Sequence, residues 1–271
     1  MNPKMSVLVI TYNHEKYIRQ ALDSVLMQQQ DFDVEVIIAD DFSQDSTRDI
    51  ARQYETQVQN VTLLPSDQNV GITKNLRRGL AACRGKYIAL IEGDDFWISP
   101  KKLSIVGGFL DDYPECSFCF HRLIKVDETS DTASVHPMIE SPNEFKMFTA
   151  SDLARVNIVG GLSTCTYRRA VIDNLDPGLW DLKVREWPFN IVVALQGSFA
   201  YIPEILSVYR AHWGGIFSKK SLAEKTEILL QIIETYNRYL EFRFDEEFKE
   251  FKGKLLKTHS GWGNRWLMKS R

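Results

Sequence analysis

Glu92-Gly93-Asp94-Asp95 places three carboxylates within four residues, directly after the apolar run Tyr87-Ile88-Ala89-Leu90-Ile91. Crowding carboxylates together gains no apolar burial, and their repulsion is unfavourable unless a cation offsets it. Hard oxygen ligands of this kind suit Mg2+ or Mn2+, whose usual companion is a substrate phosphate. The plain alternative is an acidic turn with solvated side chains. Two further stretches carry groups suited to a ligand: Thr11-Tyr12-Asn13 closes the run SVLVI, and Asp40-Asp41 closes VEVIIA. An aromatic ring can stack on a base, a carboxylate can accept from a base or a ribose hydroxyl, and an acidic pair with its metal can hold a diphosphate. Neither G-x-x-x-x-G-K-[ST] nor G-x-G-x-x-G follows the first apolar run, so no glycine-rich loop cradles phosphates here. A nucleoside-diphosphate ligand is the simplest common reading.

These groups need a scaffold that gathers strand ends. Residues 87–91 form a short continuous apolar run, the pattern of a strand buried on both faces, and residues 6–10, 34–39 and 61–64 read as further strands. Between them, Ile18, Leu22, Val25 and Leu26, then Ile50, Ala51 and Tyr54, then Leu76, Leu80 and Ala81 recur at helical spacing. Asn13 suits the N-cap of the first helix, and the second is predicted to start near Asp45-Ser46-Thr47. The β-α-β-α-β-α-β order implies a parallel sheet with right-handed crossovers. In such sheets ligands bind outside the carboxyl ends of the strands, where the polar groups fall. Asp111-Asp112 follows a helical run and reads as a solvated helix end. Cys116 and Cys119 have C-x-x-C spacing, but CSFCF reads as a strand whose positions three apart face opposite sides. Core packing, not zinc, is the expectation for both.

Bulk properties narrow the function class. The chain has 271 residues, 44% hydrophobic and 25% charged, as a soluble globular protein does. A net charge of −3 gives no global attraction to nucleic acid or to anionic lipid. The apolar run near the N-terminus is too brief for a signal peptide, and no stretch approaches a membrane span. Four cysteines in a chain of this length suggest reduced thiols and a cytoplasmic setting.

SVLVITYNHEKYIRQALDSVLMQ, IIADDFSQDST and NVGITKNLRRGLAACRGKYIALIEGDDFW, in this order and spacing, resemble the nucleotide-sugar domain of family-2 inverting glycosyltransferases. The resemblance is close over residues 4–115 and looser to about residue 215. It implies the GT-A fold, a Rossmann-like, mostly parallel α/β sheet flanked by helices. By this resemblance Tyr12 lies against the nucleobase, with Thr11 and Asn13 beside it, and Asp41 binds the base or ribose. Lys74 and Asn75 fall near the donor; Glu15 is either a donor contact or a first-turn acid favoured by the helix dipole. Asp94 faces the ribose or the metal, and Asp95 is the main ligand of Mn2+ or Mg2+. Glu92 stands where the family's common Asp-x-Asp-Asp motif has its first Asp.

The resemblance also orders the later segments. Residues 117–126 read as a strand, and residues 127–147 as a long polar loop, a candidate acceptor-side flap. Residues 163–167 read as another strand, with Ser163 and Thr164 as candidates to face the sugar. Glu186 precedes Trp187 and Pro188 at a helix N-terminus and matches the family's general base by position, one methylene longer than the usual Asp. Tyr209-Arg210-Ala211-His212 precedes Trp213-Gly214-Gly215; His212 is a candidate third ligand of the metal, and the Gly-Gly segment a candidate lid. The catalytic domain is assigned to residues 1–217, split at 115 into donor and acceptor halves, and residues 218–271 to a helical extension. That extension is expected to pack on the sheet domain or on a second subunit, giving a homodimer. The tail GWGNRWLMKSR mixes aromatic and basic residues, as a weak membrane-surface contact would, though docking on the protein's own body is the favoured reading. The implied function is transfer of a sugar from a nucleotide-diphosphate donor, UDP by family habit, to a saccharide or lipid-linked acceptor, with no nucleic-acid partner. The alternatives are a sugar-phosphate nucleotidylyltransferase and a non-catalytic nucleotide-sugar-binding protein.

Overall fold

The computed structural model describes residues 2–139, 143–214 and 220–259. Its first half is the alternation that periodicity predicts: β1 (Met5–Thr11), α1 (Ile18–Leu26), β2 (Val34–Asp40), α2 (Thr47–Gln57), β3 (Val61–Leu63), α3 (Ile72–Ala82) and β4 (Tyr87–Glu92). All four strands run parallel in the order β3-β2-β1-β4. Successive strand residues point to opposite faces, and here both faces are dry. Leu8, Ile10, Ile37, Ala39, Ile88 and Leu90 pack toward Leu76 and Leu80 of α3. Val7, Val9, Val36, Ile38, Ala89 and Ile91 pack toward Ile18 and Leu22 of α1 and Ala51 of α2. Each such aliphatic side chain contributes about 1.5–3 kcal/mol relative to exposure, so the register of β1 and β4 is strongly specified.

The sheet then changes sense. β5 (Phe96–Trp97), α4 (Lys102–Asp112), β6 (Cys116–Asp127), β7 (Thr132–His136), β8 (Lys146–Phe148), α5 (Ala150–Arg155), β9 (Thr166–Arg168), α6 (Arg169–Asp173), α7 (Glu186–Val193) and β10 (Ser198–Ala211) follow. The strand order continues β4-β9-β6-β10-β5, with β9 antiparallel to both its neighbours and β10 parallel to β6. With β7 paired to β6 and β8 to β10, ten strands among the described residues form one sheet. Two helices, α8 (Leu222–Tyr239) and α9 (Asp245–His259), close the described chain. They dock on the protein's own body: Ile233, Tyr236 and Phe248 share one core with Leu153 of α5 and Trp187 of α7.

Several local expectations are corrected. Asn13 is not an N-cap: it has a φ of 57° and accepts from the Gln44 backbone N–H, and α1 begins later, at Ile18. Asn tolerates the left-handed region, and here tertiary bonding between two loops overrides the capping signal. Cys116 and Cys119 lie on the same face because the register shifts between Cys116 and Phe118, leaving Ser117 as the extra residue of a β-bulge. Both cysteines are buried free thiols, as expected of core residues. The polar stretch 127–147 is not one loop: β7 folds back on β6 as a hairpin and β8 pairs with β10. Asp111 is no freely solvated helix end; it accepts from Lys86 and Tyr87 at 2.6 Å each and pairs with Lys4 at 2.7 Å. Among the described residues no helix is long and apolar enough to cross a membrane. The tail from Ser260 to Arg271, Gly215 of the expected lid, and Glu140-Ser141-Pro142 of the expected flap lie outside the described residues.

Gly85 turns the chain into β4 with no room for a side chain: a Cβ there would stand 2.6 Å from the Met5 carbonyl carbon. Gly85→Ala should lower stability by about 3 kcal/mol through overpacking against backbone. Gly108, in α4 with nothing within 4 Å of its would-be Cβ, should tolerate Ala or gain about 0.5–1 kcal/mol. Urea denaturation midpoints of the two variants check the contrast.

Candidate active site

The carboxyl ends of β1 and β4 lie side by side, with Ile10 paired to Glu92. The loops leaving them touch because Gly93 has no side chain: its N–H donates to the Ile10 carbonyl at 2.9 Å, and a Cβ would come within 2.8 Å of the Thr11 Cβ. This close approach aims Asp94 at two imidazoles. His212 Nε2 lies 3.1 Å from Asp94 Oδ2 and His14 Nε2 3.6 Å from it. The Gly214 N–H donates to His212 Nδ1 at 3.2 Å, so Nε2 carries the proton and donates to Asp94. Burial would raise the Asp94 carboxyl, but the His212 hydrogen bond and the His14 charge outweigh it and hold the group below the usual carboxylate range. In this arrangement His212 orients Asp94, with its Nε2 turned toward the same carboxylate oxygen that faces His14.

Asp95 is fully buried. Its Oδ2 accepts from Ser163 Oγ at 2.5 Å and its Oδ1 from the Arg210 N–H at 3.0 Å. Burial and the neighbouring Asp94 push its carboxyl up to about 8. Glu92 is raised well above its ordinary value by burial first, then by Asp95, Asp94 and Glu186. Arg210 braces the loop from the side, donating from Nη1 to the Asp94 carbonyl at 2.7 Å while its guanidinium lies 4.4 Å from the Phe96 ring centre. Beneath them Lys102 is fully buried, and burial pushes its ammonium well below the usual lysine range.

The loops after β1 and β2 are stitched together. Asn13 N–H donates to Ser43 Oγ at 2.9 Å, His14 N–H to Thr47 Oγ1 at 2.7 Å, and Glu15 Oε2 accepts from the Ser46 N–H at 3.1 Å. Glu15 therefore serves as a loop clasp. Tyr12 stands 42% exposed at the rim, its ring open to a ligand. Asp41 accepts from the Val70 and Gly71 N–H groups at 2.8 and 2.9 Å, binding the loop that opens α3. Asn75 is buried; it donates to the Ala39 carbonyl at 2.7 Å and accepts from Arg78 Nε at 2.8 Å, whereas Lys74 is exposed. Asn75 thus holds the end of β2, and the exposed ammonium is Lys74's.

Glu186 is the first residue of α7, with Pro188 in the same turn. Its Oε1 is buried without a hydrogen-bond partner, and burial pushes the carboxyl up to about 8. The Val184 N–H donates to Thr73 Oγ1 at 3.0 Å, tying this helix start to α3. Tyr209, raised mainly by burial, lies within electrostatic reach of Glu92, Asp95, Asp94 and Glu186 together, so the four carboxylates converge.

Ser163 and Thr164 do not face a sugar. They sit in a 3-10 turn, Leu162–Thr164, that follows Gly161 at a φ of 141°, and both side chains are buried. Sequence reading missed His14, Lys102 and Tyr209. His14, two residues after Tyr12, and Tyr209, three residues before His212, lay in stretches already singled out; Lys102 carried no local signal. Among the described residues no three His, Cys, Asp or Glu side chains are grouped to hold a metal ion by themselves. Mg2+ commonly takes one or two carboxylates and completes its shell with substrate phosphates and water. Asp94 and Asp95 fit that donor set, and the raised carboxyls of Glu92 and Asp95 mark uncompensated negative charge that a divalent cation would relieve.

Comparison with known proteins agrees with this geometry. A family model described as glycosyl transferase family 2 matches residues 6–176. An uncharacterized protein of Mycobacterium tuberculosis is 36% identical over 214 residues, 79% of this chain and 60% of that protein. The chain thus spans about 60% of the length of that relative. TuaG of Bacillus subtilis, named a putative teichuronic acid biosynthesis glycosyltransferase, is 28% identical over 235 residues, 86% of this chain and 89% of TuaG. The crystal structure of S. aureus TarS residues 1–349 with UDP-GlcNAc superposes with a TM-score of 0.69 at 20% identity, over 99% of this chain and 76% of that one. The shared fold is the GT-A arrangement.

Asp41→Asn replaces one acceptor with an amide donor facing a backbone N–H. It should make local opening of the loop at Val70 and Gly71 easier by about 1–3 kcal/mol, without lowering the global stability. Faster hydrogen exchange confined to the Val70 and Gly71 amides, with the β1 and β4 amides unchanged, checks it.

Proposed function

The chain belongs to glycosyltransferase family 2, and on that premise we propose that it moves a sugar from a nucleoside-diphosphate donor to an acceptor hydroxyl, with inversion at the anomeric carbon. The observation that carries this reading is the convergence of Glu186 with Glu92, Asp94 and Asp95 at the carboxyl end of the sheet. The donor base would stack on Tyr12, beside the loop that Asp41 holds. We take the nucleotide to be UDP, the nucleotide of the TarS complex, and the product to be a surface polysaccharide, a reading supported by the likeness to TuaG, which is named for teichuronic acid biosynthesis. The acceptor is then a saccharide or a lipid-linked saccharide.

Asp94 and Asp95 would hold Mn2+ or Mg2+; when bound, the ion supplies positive charge that neutralises the leaving diphosphate. Glu186 takes the proton of the acceptor hydroxyl as its oxygen attacks the anomeric carbon. The bond from that carbon to the diphosphate oxygen breaks, and the nucleoside diphosphate departs with the electron pair. A carboxylate ordinarily ionises near pH 4 and is a weak base at neutral pH; burial of Glu186 raises its proton affinity toward the operating range.

Incubation with Mn2+ and a panel of sugar nucleotides, reading nucleotide release with and without candidate saccharide acceptors, tests the reading. Release of pyrophosphate in place of a nucleoside diphosphate would point to nucleotidyl transfer and overturn it. Glu186→Gln should keep donor affinity and lose about 10²- to 10⁴-fold in kcat; transfer at the wild-type rate would remove Glu186 as the base. Asp95→Ala should abolish transfer. Because the base acts ionised and burial raises its pKa to about 8, kcat/KM should climb as pH rises from 6 through 8, where it is half-maximal, and level off about one unit higher. A profile flat across that range would contradict the assignment.

A further inference from the structure

Ser163 holds the acidic loop from behind. Its hydroxyl has one proton and gives it to Asp95 Oδ2 at 2.5 Å, so its lone pair is what receives the Glu92 N–H at 3.0 Å. Its carbonyl accepts from Lys102 Nζ at 2.8 Å and from Trp97 Nε1 at 3.3 Å. Lys102 Nζ also lies 3.9 Å from the centre of the Trp97 ring. Ser163, Asp95, Lys102 and Trp97 are each at most 1% exposed, so bulk water is not available to replace any of these bonds. A lysine in such a place is a poor choice for stability alone, since a well-packed apolar side chain avoids the desolvation of its amine. What it does here is fix one peptide group, and through it one hydroxyl.

The same segment reaches the other half of the site. Two residues after Ser163, the Cys165 carbonyl accepts from the Leu90 N–H at 3.1 Å, and Tyr167 donates to Asn190 Oδ1 at 2.6 Å. Asn190 lies on α7, one turn after Glu186. The stretch from Ser163 to Tyr167 therefore ties the acidic loop and the base-bearing helix to one strand.

We propose that Ser163 and Lys102 are positioning residues for the acidic loop: Lys102 fixes the Ser163 peptide, and the Ser163 hydroxyl fixes the Asp95 carboxylate for the cation and the donor diphosphate. The inference rests on the glycosyltransferase reading and assigns the turn Leu162–Thr164 to the donor side of the site. Partners one bond removed from a metal ligand typically change metal affinity or activity by about 10- to 100-fold when removed.

Calorimetry with UDP, in the presence and absence of Mn2+, on wild-type protein, Ser163→Ala, Lys102→Met and the double variant tests it. Both single variants should weaken the Mn2+-dependent part of UDP affinity by about 10-fold or more, leaving metal-free UDP affinity unchanged. The double variant should be little worse than Ser163→Ala, because both changes act through one hydroxyl. Thermal melting of the same samples separates positioning from folding: a purely structural role lowers the melting temperature while the folded protein keeps its Mn2+-dependent affinity, and that result overturns the proposal. Should Ser163→Ala not fold, Lys102→Met binding Mn2+ and UDP as wild type does overturns it alone. Wild-type protein with no Mn2+-dependent UDP affinity would overturn the underlying reading and the inference with it.

Discussion

Like-charge repulsion in a dry place is the constraint that the rest of this structure answers. Glu92, Asp94, Asp95 and Glu186 converge where water is largely excluded, and in low dielectric such charges repel far more strongly than at a surface. The protein meets the problem one oxygen at a time. Asp94 takes a proton donor from His212, Asp95 takes the Ser163 hydroxyl and the Arg210 amide, and Arg210 spreads its charge beneath the Asp94 carbonyl. Glu92 and Glu186 are left to be relieved by protonation, which is why burial raises both. On the proposed reading, a divalent cation would offset the negative charge that these bonds leave uncompensated.

The parallel half of the sheet makes the convergence cheap in sequence terms. Strands buried on both faces place their carboxyl ends in one row, so loops distant along the chain become neighbours. Gly93 then lets two of these loops come closer than any side chain would permit. The antiparallel half does something different. By inserting β9 between β4 and β6, it carries the turn of Ser163 to the back of the acidic loop.

What was legible in the sequence follows the same division. β1, β2 and β4 announce themselves as mainly apolar runs because both faces are packed, the buried Ser6 and Glu35 being tolerated through hydrogen bonds to each other and to Arg84, and α1 to α3 repeat at helical period because one side of each meets the sheet. The acidic motif is conspicuous for the opposite reason: no packing argument explains it. The misreadings share a cause as well. Ser163-Thr164-Cys165-Thr166-Tyr167 reads locally as a strand, but its first part is a turn set by Gly161 and by a lysine 61 residues away. Asn13 carries a capping signal that loses to hydrogen bonds from a second loop, and the Cys116–Cys119 faces depend on one bulged serine. Contacts made across the chain leave no periodic trace.

Trp187 follows Glu186 directly, and its surroundings are set from far downstream. Its indole N–H donates to the Leu153 carbonyl at 2.7 Å, and its ring lies between the sheet domain and Phe248 and Phe251 of α9. The closing helix is thus a buttress under the residue adjoining Glu186. On the proposed reading, a change in the girth of those two phenylalanines would tilt the first turn of α7 and retune proton transfer from outside the cleft, with no substrate contact touched.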